Sequence, residues 1–417
     1  MKIMSRKRIL VVTSIIVIVI VALVAYYSFF IRPGPASPIV IGVALPFSPP
    51  GDYKAGSLML EAIKMAVEEI NQAGGVLGRN LTVKWEDTKG LPEEGVAAVE
   101  RLITLDGANV VIGAWHSSVS NAINDICEKY NIINIQAASW ANEITAEHFK
   151  TTFRIAQYND EIAQRIIVPF LRDYGFKNVA ILAESTDFGM GVADAVKKEI
   201  ERLGLNITVH VITYETGSSD LSPWLLNIKA ITPPVQIVIN SASGYPNTYL
   251  VHKQAWETGL CPSAMILGSW DYPALPDFWE INKQYGVGAL YAAFEHPAFP
   301  LPPRAQEFAR RFKERTGVEV PYYAYLHYDA VYLYAEAVKK AGTTNTDEVI
   351  KILENIKFEG TLGTISFETS PEPGPVWHQW TGHPAFVCQL TAVNQPASNS
   401  TIVWPKEYAT GELKWPP

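Results

Sequence analysis

The sequence contains little cysteine, few charged residues and no long basic run. Its 417 residues include three cysteines, 34 lysines and arginines, and 42 acidic residues, which give a formal net charge of −8. An acidic chain without a basic block is poorly suited to nucleic acid or anionic lipid, so we exclude nucleic acid as a partner. Cys127, Cys261 and Cys388 lie far apart. We interpret them as buried free thiols, although spacing leaves open whether any two form a disulfide.

Motifs of common enzyme classes are also missing. The chain has no GxxxxGK[ST] loop, no GxSxG and no HExxH, which argues against an ATPase, a serine hydrolase or a zinc hydrolase. The glycines of Gly189–Gly191 lack the third member of a dinucleotide fingerprint, because Asp194 stands there. His378, His383 and Cys388 recur every five residues, a spacing that aligns side chains on neither a helix nor a strand. We therefore predict a protein that is not an enzyme and has no cofactor or metal.

The N-terminus predicts a membrane anchor. A basic start is followed by an uncharged run, Ile9–Ile31, which would span about 34 Å as a helix. A bilayer core is about 30 Å thick, so this run predicts one transmembrane helix with a cytoplasmic stub and an extracellular remainder. Cleavage after Ala25, as in a signal peptide, is the alternative. The proline-rich segment Arg32–Pro38 resembles a stiff linker.

Beyond residue 37 the chain alternates between short apolar runs and amphipathic segments. Predicted strands are 39–45, 81–86, 109–113, 132–135, 178–183, 207–212, 235–240 and 264–268. Predicted helices are 58–73, 93–105, 118–130, 160–173, 190–203, 221–230 and 247–258. This alternation predicts an α/β protein with parallel, doubly wound sheets. The regular alternation of strands and helices is interrupted near residues 146–158 and 286–303, which indicates two successive Rossmann-like units.

Two segments resemble a known family. The strand, loop and helix of Ile39–Gly78 end in EEINQAGGVLGR, and Tyr328–Val331 reads YDAV. Both resemble the branched-chain amino-acid (leucine/isoleucine/valine) binding proteins, which are type I periplasmic solute-binding proteins of ABC transporters. The resemblance covers residues 39–368. It implies two lobes joined by three crossing segments, with ligand held between them. Their expected extents are 38–153 plus 289–357 for lobe 1, and 154–288 plus 358–417 for lobe 2.

Polar and aromatic residues follow the predicted strands of the first unit, where ligands bind in open α/β sheets. Ser117 begins a helix, whose free N–H groups suit a carboxylate. The resemblance implies that Ser117 binds the ligand carboxylate, and a plain helix cap is the alternative. It also implies backbone contacts from the loop 138–140, although Trp140 replaces the small hydroxyl residue usual there. We expect the first unit to contribute Tyr53, Trp115, Ser117, Ala138, Ser139 and Trp140.

In the second unit, the resemblance implies an aromatic wall at Phe188 and a second aromatic at Gly244 or Tyr245. It also implies an acidic residue that meets a ligand ammonium group. Asp271 is the acid closest to that position, but strict register places Trp270 there. We expect the second unit to contribute Phe188, Tyr245, Trp270 and Asp271.

An aromatic lining favours a ligand with an apolar or planar part and a polar head. An amino acid, an amide, an aromatic carboxylate and a short peptide all remain open. We expect a membrane-tethered extracellular binding protein that delivers its ligand to ABC permease and ATPase subunits. The alternative is a ligand-sensing receptor subunit of the same fold.

Overall fold

A computed structural model describes residues 13–22, 37–244, 247–299, 301–369 and 374–415. Residues 13–22 form a helix, and the rest of the predicted membrane segment Ile9–Ile31 lies outside the described residues. Within the described ranges, no helix is both long enough and apolar enough to cross a membrane. The expected transmembrane helix is therefore not found in this part of the chain.

The described elements alternate as the sequence predicts. The strands are β1 Ile39–Leu45, β2 Leu81–Asp87, β3 Val110–Gly113, β4 Ile133–Gln136, β5 Thr152–Arg154, β6 Asn178–Glu184, β7 Thr208–Tyr214, β8 Ile237–Ser241, β9 Met265–Gly268, β10 Leu290–Ala293, β11 Phe358–Glu359, β12 Thr364–Ile365, β13 Phe386–Gln389 and β14 Thr401–Trp404. The α-helices are α1 Tyr53–Gln72, α2 Pro92–Thr104, α3 Ser117–Tyr130, α4 Glu143–Ala146, α5 Asn159–Ile162, α6 Val168–Asp173, α7 Asp187–Arg202, α8 Ser222–Lys229, α9 Asn247–Glu257, α10 Pro276–Asn282, α11 Pro303–Thr316, α12 Tyr322–Ala341 and α13 Thr346–Leu353.

The first sheet has five strands in the order β2-β1-β3-β4-β5, and every pair in it is parallel. Every residue of β1 is buried, because helices cover both faces of such a sheet. Helix α1 packs against α12, and α2 packs against α3. Helix α1 begins at Tyr53, earlier than the predicted start at 58, because the Asp52 carboxylate caps it by accepting from Ala55 N at 3.1 Å.

The second sheet has seven strands in the order β14-β13-β10-β9-β8-β6-β7. The pairs from β7 to β10 are parallel, whereas β13 and β14 are antiparallel additions at one edge. Leu290 of β10 pairs with Leu267 of β9. Residues 290–293, which the predicted division gave to lobe 1, thus belong to the sheet of lobe 2. The parallel, doubly wound architecture is confirmed.

A buried arginine fixes one crossing between the lobes. Arg154 ends β5 and is completely buried. Its guanidinium donates to Ala141 O at 2.5 Å and to Thr145 Oγ1 at 2.8 Å. It also donates to Pro375 O at 3.1 Å and to Gln379 Oε1. Burial lowers the pKa of Arg154 to about 9, which is still above neutral pH, so the side chain stays charged. Its bonds to Pro375 and Gln379 tie that later segment of the chain to the first lobe.

Candidate functional site

A cavity of about 250 Å³ lies between the two lobes. It is lined by Trp115, Ser117, Ala138, Trp140, Phe188, Ser243, Trp270 and Tyr322. All of these except Tyr322 follow the carboxyl ends of β3, β4, β6, β8 and β9, which is the expected location of a ligand in parallel sheets. In this conformation the lining side chains leave little free space for a ligand.

Ser117 connects two loops of the first lobe. It is the first residue of α3, and the preceding His116 occupies the cap position without a side-chain capping bond. The Ser117 hydroxyl oxygen accepts from Trp140 N at 3.2 Å and from Ala141 N at 3.1 Å. Ser117 is thus not a plain helix cap. Because its oxygen accepts twice, its own hydrogen remains available to an acceptor in the cavity.

The start of α3 makes this end of the cavity attractive to an anion. The first N–H groups of a helix have no intrahelical partner and lie at the positive end of its dipole. Burial lowers the pKa of His116 to about 4, so its imidazole is neutral near pH 7. Attraction for an anion then comes from the helix terminus and the Ser117 hydroxyl.

Trp140 forms the centre of the aromatic lining. Its ring meets Phe188 edge-on at a centroid distance of 5.5 Å and Phe294 at 5.3 Å. Tyr322 lies 5.9 Å away in a tilted arrangement. Since Trp140 comes from the first lobe and Phe188 from the second, this large ring fills much of the space between the lobes.

Trp115 links the lobes beside the cavity. Its ring packs edge-on against Trp270 at 5.2 Å and Tyr323 at 5.0 Å. Its indole Nε1 donates to the Ser243 carbonyl at 3.2 Å. The neighbouring Trp270 donates to the Ala242 carbonyl within its own lobe, at 2.7 Å.

Polar contacts outside the cavity also join the lobes. Lys54 Nζ lies 2.5 Å from Asp277 Oδ1. Asn121 Nδ2 donates to Asp187 Oδ2 at 2.8 Å, and the Asp187 N–H donates to Ser118 Oγ at 3.3 Å. Together with the aromatic contacts, they show a closed arrangement of the two lobes.

Some predicted site residues do not line the cavity. Ser139 lies behind it, where its hydroxyl donates to Ala114 O at 2.6 Å and meets Ser120 Oγ at 2.5 Å. It supports the loop that carries Trp140. Tyr53 begins α1 and is absent from the lining. Tyr245 lies outside the described residues.

Asp271 does not line the cavity between the lobes either. It is 3% exposed and lines a separate cavity. Its Oδ2 is 3.5 Å from the backbone N of Tyr322, and Trp270 occupies the lining instead. As a result, no acidic residue is among the eight that line the cavity, and a ligand there does not require an amine.

Ser243 and Tyr322 line the cavity, although neither was predicted as a site residue. Ser243 follows β8 much as Trp115 follows β3. Its position just after a strand could therefore have identified it as a site residue from the sequence. Tyr322 follows Pro321 and begins α12 within an aromatic-rich run. The long-range packing of α12, mainly against α1 of the first lobe, brings it to the cavity.

The cysteine and histidine residues form no metal centre in the described part of the chain. No group of three or more His, Cys, Asp or Glu residues there is suited to a metal ion. His378 is stacked between Phe153, at 4.0 Å, and Trp377, at 4.2 Å. All three cysteines are buried and free, which confirms their interpretation as free thiols.

Comparison with known proteins agrees with this geometry. The model of the family described as periplasmic binding protein matches residues 38–393. A leucine-, isoleucine-, valine-, threonine- and alanine-binding protein of Pseudomonas aeruginosa is 28% identical over 343 residues, covering 80% of this chain and 86% of that protein.

Solved structures share the fold. The branched-chain amino acid transporter substrate-binding protein LivJ of Streptococcus pneumoniae, in complex with isoleucine, has a TM-score of 0.74 and 20% identity, and the match covers 88% of this chain and all 100% of that one. A solute-binding protein of an ABC transporter from Rhodopseudomonas palustris, in complex with 3,4-dihydroxybenzoic acid, has a TM-score of 0.71 and 19% identity, with coverage of 91% and 99%.

Proposed function

Because this chain belongs to the periplasmic binding protein family, we propose that it is the solute-binding protein of an ABC importer. It captures a small carboxylate-bearing ligand between its lobes and acts as a carrier, not as an enzyme. The observation that carries this proposal is the cavity that joins the start of α3 and Ser117 to a set of buried aromatic rings. A helix N-terminus provides donors for a carboxylate, and the rings provide an apolar surface for the rest of the ligand.

The lining favours a ligand with an apolar or planar body. Phe188, Trp140 and Trp270 enclose the space, and none of the lining side chains is acidic. A relative is named for branched-chain amino acids, threonine and alanine, and a structural neighbour holds an aromatic carboxylate. We propose that a small aromatic or aliphatic carboxylate binds here, with its carboxylate at Ser117 and its body between Trp140 and Trp270.

The proposed location of the protein in the cell is inferred from the N-terminal sequence. The uncharged run Ile9–Ile31 follows a basic start, which supports a membrane tether with both lobes outside the cell. A tethered protein would pass ligand to permease and ATPase subunits. Resistance of the full chain to extraction from membranes at alkaline pH, and its loss on deletion of residues 9–31, tests the tether separately from ligand binding.

The binding proposal is tested by thermal unfolding and calorimetry with aromatic carboxylates, aliphatic amino acids and amides. A ligand at ~100 times its dissociation constant should stabilise the protein by about 2.7 kcal/mol. Substitution Ser117→Ala should weaken binding about tenfold, because a hydrogen bond to a charged group is lost.

Ser57→Ala is the matched control, because the Ser57 hydroxyl donates to Tyr53 O on the exposed surface of α1. It should leave affinity unchanged. Equal affinity of Ser117→Ala and the wild-type protein for every ligand found would refute the assignment of the carboxylate to this position. No stabilisation by any carboxylate would refute the ligand class.

A further inference from the structure

A second cavity, of about 730 Å³, lies beside the first. The two are separated by the segment Trp270-Asp271: Trp270 lines the cavity between the lobes, and Asp271 lines the second one. Asp271 and Glu295 lie in the second cavity together with Glu319 and apolar residues that include Leu275 and Val320.

Asp271 has an unsatisfied carboxylate oxygen. The residue is 3% exposed, and its Oδ1 has no hydrogen-bond partner among the residues that the structure describes. Its Oδ2 has only a long contact, 3.5 Å, with Tyr322 N. Burial raises the pKa of Asp271 to about 7. An unpaired buried carboxylate is unfavourable, so either a proton or a cation must compensate it.

Glu295 adds a second acidic group at the same place. Burial, together with the smaller effect of the nearby carboxylates of Asp271 and Glu319, raises the pKa of Glu295 to about 8. Glu319 is better satisfied, because its carboxylate accepts from Ser398 Oγ at 2.8 Å and lies 3.6 Å from Lys313 Nζ. Asp271 and Glu295 are therefore the two groups that need neutralisation.

The basic residues of this cavity are already engaged. Arg310 pairs with Glu307 and Glu314, both at 2.6 Å, and Lys313 pairs with Glu319. Across the described ranges, no lysine or arginine lies within 4 Å of the carboxylate of Asp271 or Glu295. Asp271 and Glu295 thus form an acidic floor of the cavity beside apolar walls, and a cation bound between them would favour their ionised forms.

We propose that this second cavity binds a small organic ammonium ion, with the ammonium group between Asp271 and Glu295 and the apolar part against Leu275 and Val320. A metal ion is less suited, because no metal-binding group is found among the residues described. This proposal does not depend on the ligand of the first cavity, since none of the described residues lines both spaces.

The experiment titrates the full-length protein with cyclohexylammonium by calorimetry, at about pH 9, where the amine is still charged and both floor carboxylates are ionised. Cyclohexanol, of nearly the same shape but neutral, is the ligand control. Asp271→Asn and Glu295→Gln should each weaken binding of the amine about tenfold, because each removes a charge-assisted contact. Both variants preserve shape and remove an unfavourable buried charge, so they should unfold no earlier than the wild-type protein.

Two further variants locate the amine. Ser117→Ala, in the first cavity, should bind it as the wild-type protein does. Glu348→Gln, which removes an exposed carboxylate paired with Lys351 on α13, should also leave it unchanged. The proposal is overturned if the amine does not bind, if cyclohexanol binds equally well, or if Ser117→Ala weakens the amine as much as the floor variants do. The last result would place the amine between the lobes.

Discussion

The two halves of the cavity between the lobes are built differently. In the first lobe, the polar groups are held within their own lobe: Ser117 by the loop at Trp140 and Ala141, and Ser139 by Ala114. In the second lobe, the cavity surface consists mainly of the Phe188 and Trp270 rings, which meet first-lobe rings only when the lobes are closed. In the proposed binding mode, the polar head of a ligand would meet a preformed surface, whereas its body would be enclosed only when the lobes close.

The largest change should come from Trp140→Ala, which removes the central ring of the aromatic lining. Truncation of a buried aromatic typically costs about 3–5 kcal/mol, so the unfolding temperature should fall clearly. The vacated space lies beside Phe188 and Tyr322, so ligands with larger bodies should gain affinity relative to small ones. A panel of carboxylates of increasing size, measured by calorimetry, checks this shift.

Trp85→Ala is the control for that substitution, because Trp85 lies on β2 and is 53% exposed. It should change unfolding only slightly and leave ligand preference unaltered. If Trp140→Ala kept the wild-type order of ligand sizes, then Trp140 would not set the depth of the cavity.

A smaller effect concerns Asp52, the buried carboxylate that caps α1. Burial raises its pKa to about 7, and Asp277 contributes to the increase. The folded protein therefore holds a proton that the unfolded chain has lost, and stability falls as pH rises from about 4 to about 7. Asp52→Asn cannot titrate, so it should gain stability relative to the wild-type protein across this range, by up to about 1.4 kcal/mol per pKa unit.

Urea unfolding at about pH 5 and about pH 8 measures this difference in stability. The other buried acids are present in both proteins, so their contributions cancel when the change in unfolding free energy between the two pH values is compared. Asparagine preserves the oxygen that accepts from Ala55 N, so loss of the helix cap should not obscure the result. Parallel pH profiles for the two proteins would show that Asp52 is ionised in the folded state.

The smallest effect should come from Lys54→Met, which breaks an ion pair between the halves. Lys54 and Asp277 have side chains that are 38% and 12% exposed, and such pairs contribute up to about 1 kcal/mol. Without ligand, the open form should become more populated and the radius of gyration, measured by X-ray scattering, should rise slightly. Lys64→Met is the control, since Lys64 pairs with Glu61 on the same helix. Equal scattering from both variants would show that the ion pair does not favour closure.

Much of the fold could be predicted from periodicity. The bounds of β1 agree with the predicted 39–45 because a fully buried strand is an uninterrupted apolar run. By contrast, the sheet to which β10 belongs depends on pairing with β9, which is a long-range contact that local pattern does not encode.

The site was partly predictable for the same reason. Residues that directly follow central strands, such as Trp115, Phe188 and Trp270, line the cavity as expected. The sequence could not predict that Asp271 lines the second cavity instead of the one between the lobes. Asp271 lies in a loop, where neighbouring side chains do not alternate in a fixed way as they do along a strand. Tyr322 comes from a distant helix and reaches the cavity only through tertiary packing. Their roles in ligand binding remain predictions.

The hydrogen bond from Trp115 to the Ser243 carbonyl also bears on timing. A ligand enclosed by both lobes leaves only after they separate, so this bond and the ring contact with Trp270 break in each departure, whatever the ligand is. Chemically different ligands then share one upper limit to their dissociation rate, set by an opening motion on the microsecond-to-millisecond scale. A transporter that pulls the lobes apart would govern delivery through that motion, so tight binding need not mean slow release.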